Sequence, residues 1–188
     1  MLHYFEEFGV YCEVTGFKGV RFSDAEGFLK ESRKRTRLKV EMQFFDANVI
    51  ASYRHLYFAV LNALQAFQNK TNLSRSLAVE TMLYASAQRQ IQKAIQRCGI
   101  KPQTANMATT IIGEKPGEIR AMVGEIKACV GAEPDETVLE MTEVKLERIK
   151  VVFQIKAEEI KSVMKDECQT DAVVNLVVER VALLATQL

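Results

Sequence analysis

The sequence has few of the residues and motifs from which most catalytic and metal sites are built. Its 188 residues include two histidines, His3 and His55, and four cysteines that form no CxxC pair. It contains no GxxxxGKS/T phosphate loop, no GxGxxG turn, no HExxH metal motif and no GxSxG nucleophile elbow. Two histidines cannot supply a His-rich metal cluster, and no spacing singles out a pair of carboxylates. We therefore expect a non-catalytic chain with no catalytic residue, metal or cofactor.

Long apolar runs are also missing. The most apolar stretch, residues 172–185, is interrupted by three polar or charged residues, whereas a bilayer-spanning helix needs roughly 18 consecutive apolar residues. Residues 1–8 carry two glutamates among aromatic side chains, which is not a secretory or targeting pattern. Unpaired cysteines without such a signal favour a reducing compartment. We expect a cytoplasmic protein that does not enter a membrane.

Acidic residues are absent from one long window, residues 81–113. Four cations recur in this window at intervals of four: Arg89, Lys93, Arg97 and Lys101. The whole chain carries 25 basic and 24 acidic side chains, but residues 1–113 hold 15 basic and 9 acidic ones, and residues 114–188 hold 10 and 15. This asymmetry predicts a basic surface that attracts an anionic polymer.

The spacing of these cations predicts a positively charged face on a helix. Residues four apart lie above one another, so Arg89, Lys93 and Arg97 would stack before Gly99 ends the helix. Each like-charge pair costs an isolated helix roughly 0.2–0.5 kcal/mol, which suggests that phosphate groups of a ligand neutralise the row. Glutamine amides beside the row are able to hydrogen-bond base edges and 2′-hydroxyls. The alternative is the solvated face of an ordinary amphipathic helix.

Strand and helix patterns are intermixed and predict one α+β domain over residues 1–188, with a small mixed or antiparallel sheet packed against several helices. A chain of this length buries roughly 70% of the surface of its unfolded form, which supports a single core. Strands are expected at residues 10–20, 40–45 and 106–112, with a further short one at 137–141. Helices are expected from a Ser23 N-cap into a basic cluster ending at Lys39, from an Asp46 or Asn48 cap to about Phe67, from Ser74 to Cys98, and at 118–130, 142–153, 156–165 and 171–187.

The pattern also predicts the environment of particular residues in two of these helices. The helix over 74–98 is expected to pack one apolar side into the core, formed by Leu77, Leu83, Ala87, Ile91, Ala94, Ile95 and Cys98. His55, in a mostly apolar helix, is expected to be a hydrogen-bonded structural residue, and a ligand contact is the alternative.

The last helix carries apolar residues around too much of its circumference for packing on one side only. If its inner face completes the core, the outer face is an apolar patch, which monomers rarely leave bare and which therefore predicts a protein partner. A central helix buried on all sides is the alternative. The residues assigned to the partner surface are Val174, Val177, Val178, Val181 and Leu184.

Several segments resemble the kinase-associated, tRNA-binding subunit of the KEOPS complex. They are residues 43–51 (QFFDANVIA), 55–56, 72–77 (NLSRSL), 80 and 83–91 (LYASAQRQI), and 175–184 (NLVVERVALL), with residues 10–19 as the first strand. Ser86, Gln88, Arg89, Gln90 and Ile91 match that family's Ser-Gly-x-Arg-Gln-Ile signature, with Ala87 where glycine is usual. Residues 1–11 and 114–136 lie outside the resemblance.

The resemblance implies a non-catalytic subunit that binds the small kinase-like ATPase subunit of KEOPS and captures the 3′ CCA end of tRNA. It would support the threonylcarbamoyl-adenosine modification of tRNA and contact other KEOPS subunits only indirectly. The C-terminal helix would bind the kinase subunit. Together with the charge pattern, the resemblance assigns eight residues to RNA binding: Ser86, Gln88, Arg89, Gln90, Lys93, Arg97, Arg75 and Lys70.

Two rival functions stay open from the sequence. One is a protein regulator that tunes a kinase allosterically and never binds RNA. The other is an enzyme for a small substrate. RNA binding would weaken linearly with salt on a log–log plot, and this behaviour separates it from both rivals.

Overall fold

The computed structural model describes residues 1–21, 27–28, 39–164 and 168–186, and in these it shows a four-stranded sheet covered by helices. The strands are β1 (Leu2–Phe5), β2 (Val10–Lys18), β3 (Val40–Asp46) and β4 (Asn106–Gly113). Their order in the sheet is β1-β2-β4-β3, and every neighbouring pair is antiparallel. The predicted α+β class is confirmed, and the sheet is antiparallel rather than mixed.

Helices account for most of the remaining described chain. They are α1 (Tyr53–Gln68), α2 (Leu77–Ser86), α3 (Ile91–Cys98), α4 (Pro116–Val130), α5 (Glu143–Val152), α6 (Ala157–Val163) and α7 (Gln169–Leu184). No helix in the described ranges is long and apolar enough to cross a membrane. The predicted helix that begins at Ser23, with most of its basic cluster, lies outside the described residues.

Alternation along the strands divides the core into two parts, one on each face of the sheet. In β4, Ala108 and Ile112 belong to one core cluster, whereas Met107 and Ile111 belong to the other. The first cluster also contains buried residues of α1, α2 and α7, and the second contains the buried face of α4. Since side chains alternate between the faces of a strand, β4 lies buried between two helical layers.

The N-terminal residues outside the family resemblance form an edge strand. β1 pairs with β2 in a register that runs from Leu2 opposite Glu13 to Phe5 opposite Val10. The Phe5 ring is buried and stacks on Tyr57 of α1, with ring centroids 5.2 Å apart. This segment is therefore part of the sheet and of its core.

The start of α1 differs from the prediction. Asp46 accepts a hydrogen bond from the backbone N–H of Asn48 at 3.0 Å, but this bond closes only the 3₁₀ turn Ala47–Val49. Ile50 then returns to an extended conformation, and Ser52 caps α1 by accepting from the N–H of His55. An aspartate that bonds the backbone two residues later favours a local turn over a helix, which explains the error.

The predicted strand at residues 137–141 is wrong. Asp135 accepts from the backbone N–H of Thr137 at 2.9 Å and caps a 3₁₀ helix, Glu136–Leu139. The β-branched residues of this segment suggested a strand, but a local side-chain cap decides the conformation. The adjacent Pro134 makes one isolated bridge to Phe17.

The predicted continuous helix from Ser74 to Cys98 is two helices, α2 and α3. Ala87 lies between them with φ 48° and ψ 45°, a left-handed conformation. The N–H of Ala87 donates to the carbonyl of Tyr84 and that of Gln88 to the carbonyl of Leu83, the pair of bonds that defines a Schellman motif. Ala87 occupies the position that favours glycine, which is the residue usual here in the resembling family.

The C-terminal helix α7 is central, and this corrects the predicted partner surface. It packs against α1, α2, α5 and α6, so all sides but one are covered. Val174, Val177, Val181 and Leu184 are buried, and Val178 is partly buried against the same cluster. These side chains belong to the core, because a helix that packs against four others needs apolar residues around most of its circumference.

Candidate functional site

Helix α3 presents its cations on the outer side and buries only a narrow strip. Ala94 and Cys98 are fully buried, whereas Lys93 is exposed and Arg97 is half-buried. Ile91 and Ile95, expected on the buried side, are 45% and 49% exposed. They remain at the surface because α3 is a separate short helix, turned relative to α2 by the left-handed residue Ala87.

The break before α3 removes Arg89 from the predicted helical row. Arg89 lies in the short connection between α2 and α3 and is exposed. Gln90 follows it at the N-cap of α3, where its side chain makes no capping bond. Lys93 and Arg97 are therefore the two cations of the row that share a helix face.

Arg97 joins α3 to α2 and to the end of α5. Its Nη1 atom donates to the backbone carbonyl of Ser86 at 2.9 Å, and its guanidinium lies 5.6 Å from the centre of the Phe153 ring. Burial lowers the pKa of Arg97 from its usual value, but an arginine remains protonated at physiological pH. The side chain therefore stabilises the cleft wall as well as contributing charge.

Lys93 and Arg97 line an open cleft of about 850 Å³. The cleft wall combines α3 and the segment after it with the 3₁₀ turn that follows β3 and with α5. The lining residues are Asp46, Asn48, Val49, Gln88, Lys93, Gln96, Arg97, Lys101, Gln103, Ala105, Arg148 and Val152. Four of these are cations, three are glutamines and one is an acid, so the cleft is basic and rich in amides.

The positive charge of the cleft is not neutralised within the described part of the chain. No carboxylate described here forms an ion pair with Lys93, Arg97, Lys101 or Arg148. Asp46, the one acid of the wall, accepts two hydrogen bonds from Asn48. Acids of the C-terminal half pair elsewhere, as Glu147 does with Lys150 and Glu159 with Arg180.

Three of the eight residues assigned to RNA from the sequence line this cleft: Gln88, Lys93 and Arg97. Ser86 is fully buried, and its hydroxyl donates to the carbonyl of Leu83 at 3.0 Å, so its side chain has no surface for a ligand. Its structural role is to offer its carbonyl to Arg97. Arg89, Gln90, Arg75 and Lys70 are exposed outside the cleft wall.

Arg148 is a cleft residue that sequence reasoning missed. It lies on α5, far along the chain from α3, and no spacing links the two. Asn48 and Gln103 are further polar residues of the wall to which the sequence assigned no ligand contact. A packing arrangement between distant helices brings these residues together, and no local pattern encodes it.

His55 has the structural role expected of it. The ring is fully buried, its Nδ1 accepts from the N–H of Ala51 at 3.1 Å, and its Nε2 lies 2.7 Å from the carbonyl of Ala85. Since Nδ1 accepts, the proton of the neutral ring is on Nε2 and is donated to Ala85. Burial lowers the pKa of His55 to about 4, so the ring is neutral at physiological pH.

Comparison with known proteins identifies the family. The model of the family described as "Kinase binding protein CGI-121" matches residues 17–185, which is most of the chain. This chain belongs to the CGI-121 family. A relative, the regulatory protein Cgi121 of Methanocaldococcus jannaschii, is 31% identical over 119 residues, covering 63% of this chain and 74% of the relative.

The family membership confirms the resemblance found in the sequence. The matched range includes the last two residues of β2, the α2–α3 junction, both walls of the cleft and α7, whereas β1 and most of β2 lie before it. The description of the family names kinase binding, and the relative is described as a regulatory protein. These descriptions support a kinase-binding regulatory role for this member of the CGI-121 family.

Proposed function

We propose that this chain is a non-catalytic KEOPS subunit that binds the small kinase-like ATPase subunit and captures the 3′ CCA end of tRNA in the basic cleft. In this role it supports threonylcarbamoyl-adenosine modification of tRNA. The observation that carries the RNA part is the cluster of four cations, Lys93, Arg97, Lys101 and Arg148, that line one cleft without carboxylate partners among the described residues.

The chemistry of the wall suits a single-stranded RNA end. Ammonium and guanidinium groups bind phosphates, while Gln88, Gln96 and Gln103 offer both donors and acceptors to base edges and 2′-hydroxyls. RNA is read in sequence-specific fashion mainly where bases are unpaired, as they are in a CCA tail. The volume of about 850 Å³ falls within the range of small-ligand pockets, roughly 300–1,000 Å³.

The kinase subunit requires a different surface from the one predicted on α7. The valines of this helix are in the core, and its outward stripe consists of polar and small residues next to Leu183, which is 46% exposed. Asn175 of this stripe accepts from Arg54 at the start of α1, which extends the surface across two helices. We place kinase contact on this α7 stripe, with Leu183 as its apolar centre.

A pure kinase regulator without RNA binding is the second candidate. It is favoured by the family description, which names kinase binding. It is also favoured by Arg97, because this side chain already contacts Ser86 and Phe153 within the protein and so has a structural role without RNA. The two candidates differ in what they predict for the cleft. An RNA-binding cleft depends on its exposed charge, whereas a kinase regulator tolerates its loss.

The test compares binding of the chain to intact tRNA and to tRNA trimmed of its terminal CCA. We expect trimmed tRNA to bind more weakly, and Lys93→Glu to weaken binding of intact tRNA by more than about tenfold, because a hydrogen bond to a charged group contributes about 1.5–3 kcal/mol. Lys127→Glu is the charge-reversal control, since Lys127 lies on α4 and outside the cleft wall. Circular dichroism checks that losing its surface ion pair with Glu133 leaves the fold intact.

The same variants are tested for kinase association. Lys93→Glu should leave it unchanged, and Leu183→Glu should weaken it without affecting tRNA. Equal affinity for intact and trimmed tRNA, or equal effects of Lys93→Glu and Lys127→Glu, would overturn RNA capture in this cleft and favour the pure regulator.

A further inference from the structure

A second, smaller cleft of about 180 Å³ adjoins the first. Asn48 and Arg148 line both, so the two clefts meet at these residues. The smaller cleft adds Lys18, at the end of β2, and Lys145, one turn before Arg148 on α5. Among the residues that line it, Glu140 is the one acid.

Lys145 is the unusual member of this group because it is a buried cation. Its residue is 6% exposed, and its Nζ donates to the carbonyls of Val138 at 2.9 Å and Glu140 at 3.2 Å. An ammonium group has three donors, so these two bonds leave one for another acceptor. In the described chain no carboxylate forms an ion pair with Lys145, although Asp46 and Glu140 attract it at longer range.

A buried ammonium without a paired carboxylate is held at a cost in hydration free energy. Burial accordingly lowers the pKa of Lys145 to about 8. An anion that entered the small cleft would accept the third bond of Lys145 and offset that cost. Lys18 and Arg148, both exposed, are positioned on the lining to bind the same anion.

We propose that the small cleft binds a backbone phosphate of the RNA strand upstream of the 3′ end held in the large cleft. The strand would pass across Arg148, which contributes to both clefts, and place one phosphodiester against Lys18 and Lys145. This inference rests on the proposed RNA function and adds a direction to it: the terminal nucleotides lie toward α3 and the preceding ones toward β2.

An acidic segment of a protein partner would satisfy the same cations. RNA is favoured because Asn48 and Arg148 line both clefts, so the clefts are close enough for one continuous phosphate chain to reach both. A polymer with a regular spacing of charges also accounts for cations on three different elements, namely the end of β2, α3 and α5.

The experiment compares two RNAs, a single-stranded tetranucleotide that ends in CCA and an acceptor-stem minihelix that carries the same tail. The minihelix should bind the natural chain more tightly, because only it reaches the small cleft. Lys18→Glu should weaken minihelix binding about tenfold and reduce its log–log salt slope by about one, while the tetranucleotide is unaffected. Arg120→Glu, on an exposed site of α4, is the matched control.

Lys145→Met provides a second variant, since it removes the ammonium and keeps the aliphatic stem. We expect a loss for the minihelix alone, after circular dichroism has shown that the variant is folded; if it does not fold, the result for Lys18→Glu decides. The inference is overturned if the minihelix binds no more tightly than the tetranucleotide, or if Lys18→Glu weakens both RNAs equally.

Other outcomes separate this inference from the proposed function. Failure of both RNAs to bind the natural chain overturns both ideas, whereas binding of the tetranucleotide with sensitivity to Lys93→Glu keeps the proposed function. If Lys18→Glu weakens kinase association but leaves minihelix binding unchanged, the small cleft binds an acidic protein segment, and the proposed phosphate site is overturned.

Discussion

Helices α3 and α7 were both predicted to bear binding surfaces, and the structure places them in opposite environments. On α3, Lys93 lies at the surface and Arg97 lines a cleft, whereas Val177 and Val181 of α7 are buried in the core. The difference follows from the physics of each residue type. An uncompensated cation is costly to bury, while an apolar helix surface is satisfied equally by its own domain or by a partner.

The largest effect that separates the two helices is expected from charge placed in α7. Val177→Glu should lower the free energy of unfolding by about 4 kcal/mol, because it buries a carboxylate in a fully enclosed apolar site. Thermal or urea unfolding followed by circular dichroism measures this loss. Adjacent residues provide a matched pair: Leu184→Glu should destabilise similarly, whereas Leu183→Glu should change stability by less than about 0.5 kcal/mol.

That comparison would fail if Val177→Glu folded with unchanged stability and lost only kinase association. Such a result would restore the valine surface of α7 as the partner site. Equal destabilisation by Leu183→Glu and Leu184→Glu would likewise show that Leu183 is not at the surface in solution.

The second effect concerns His55, the buried histidine of α1 whose ring bonds the end of α2. His55 titrates near pH 6.5 when unfolded and, because burial lowers its pKa, near pH 4 when folded. The unfolded chain therefore binds the proton first, and stability present above pH 6.5 should fall by on the order of 3 kcal/mol as the pH is lowered to 4. Urea unfolding at several pH values measures the slope.

A His55→Gln variant supplies the control for this titration. It lacks the titrating ring, so the part of the slope between pH 6.5 and 4 that comes from His55 should disappear. A natural chain whose stability is flat across this interval would contradict the buried neutral ring.

The third effect tests the charge of α3 without reversing it. Lys93→Gln removes one phosphate contact in the proposed complex, so the log–log salt slope of tRNA binding should become shallower by about 0.7, the value per phosphate for single strands. Affinity measured at a series of salt concentrations gives this slope. Val178→Ala on α7 should leave it unchanged, and an unaltered slope for Lys93→Gln would place the phosphates elsewhere.

The smallest effect is expected at the junction between α2 and α3. Ala87→Gly should raise the free energy of unfolding by up to about 1 kcal/mol, because a left-handed conformation costs a residue with a Cβ atom roughly 1–2 kcal/mol and glycine very little, with the entropy of unfolded glycine opposing part of the gain. Chemical denaturation measures the change.

Ala121→Gly, at an exposed position in α4, is the matched control and should lower stability by about 1 kcal/mol. If both substitutions destabilise the protein, Ala87 does not adopt the left-handed conformation in solution, and α2 and α3 would be continuous as the sequence alone predicted.

Local patterns were sufficient for the class of fold and for most elements. β4 was predicted at 106–112 and found at Asn106–Gly113, and α4 and α7 were located within a few residues of their observed bounds. Errors occurred where a single side chain or backbone angle overrides the pattern, as at Ala87 and Asp135. Hydrophobic periodicity carries no information about side-chain caps or single backbone angles that compete with a regular element.

The candidate site was less predictable than the fold. Lys93 and Arg97 were found because their spacing lies within one helix, but Arg148 and Lys145 enter the clefts only through the packing of α5 beside the turn after β3. The apolar residues of α7 could not be divided between core and interface, because that division depends on how many helices surround α7.

The end of α2 is held by side chains from two neighbouring helices. His55 of α1 bonds the carbonyl of Ala85, Arg97 of α3 bonds that of Ser86, and the Phe153 ring contacts both His55 and Arg97. These contacts hold the cleft wall in one conformation, so the wall would lose little conformational entropy on binding the proposed RNA tail. Discrimination among tails would then arise from the shape of the receptor, with the tail as the partner that adjusts.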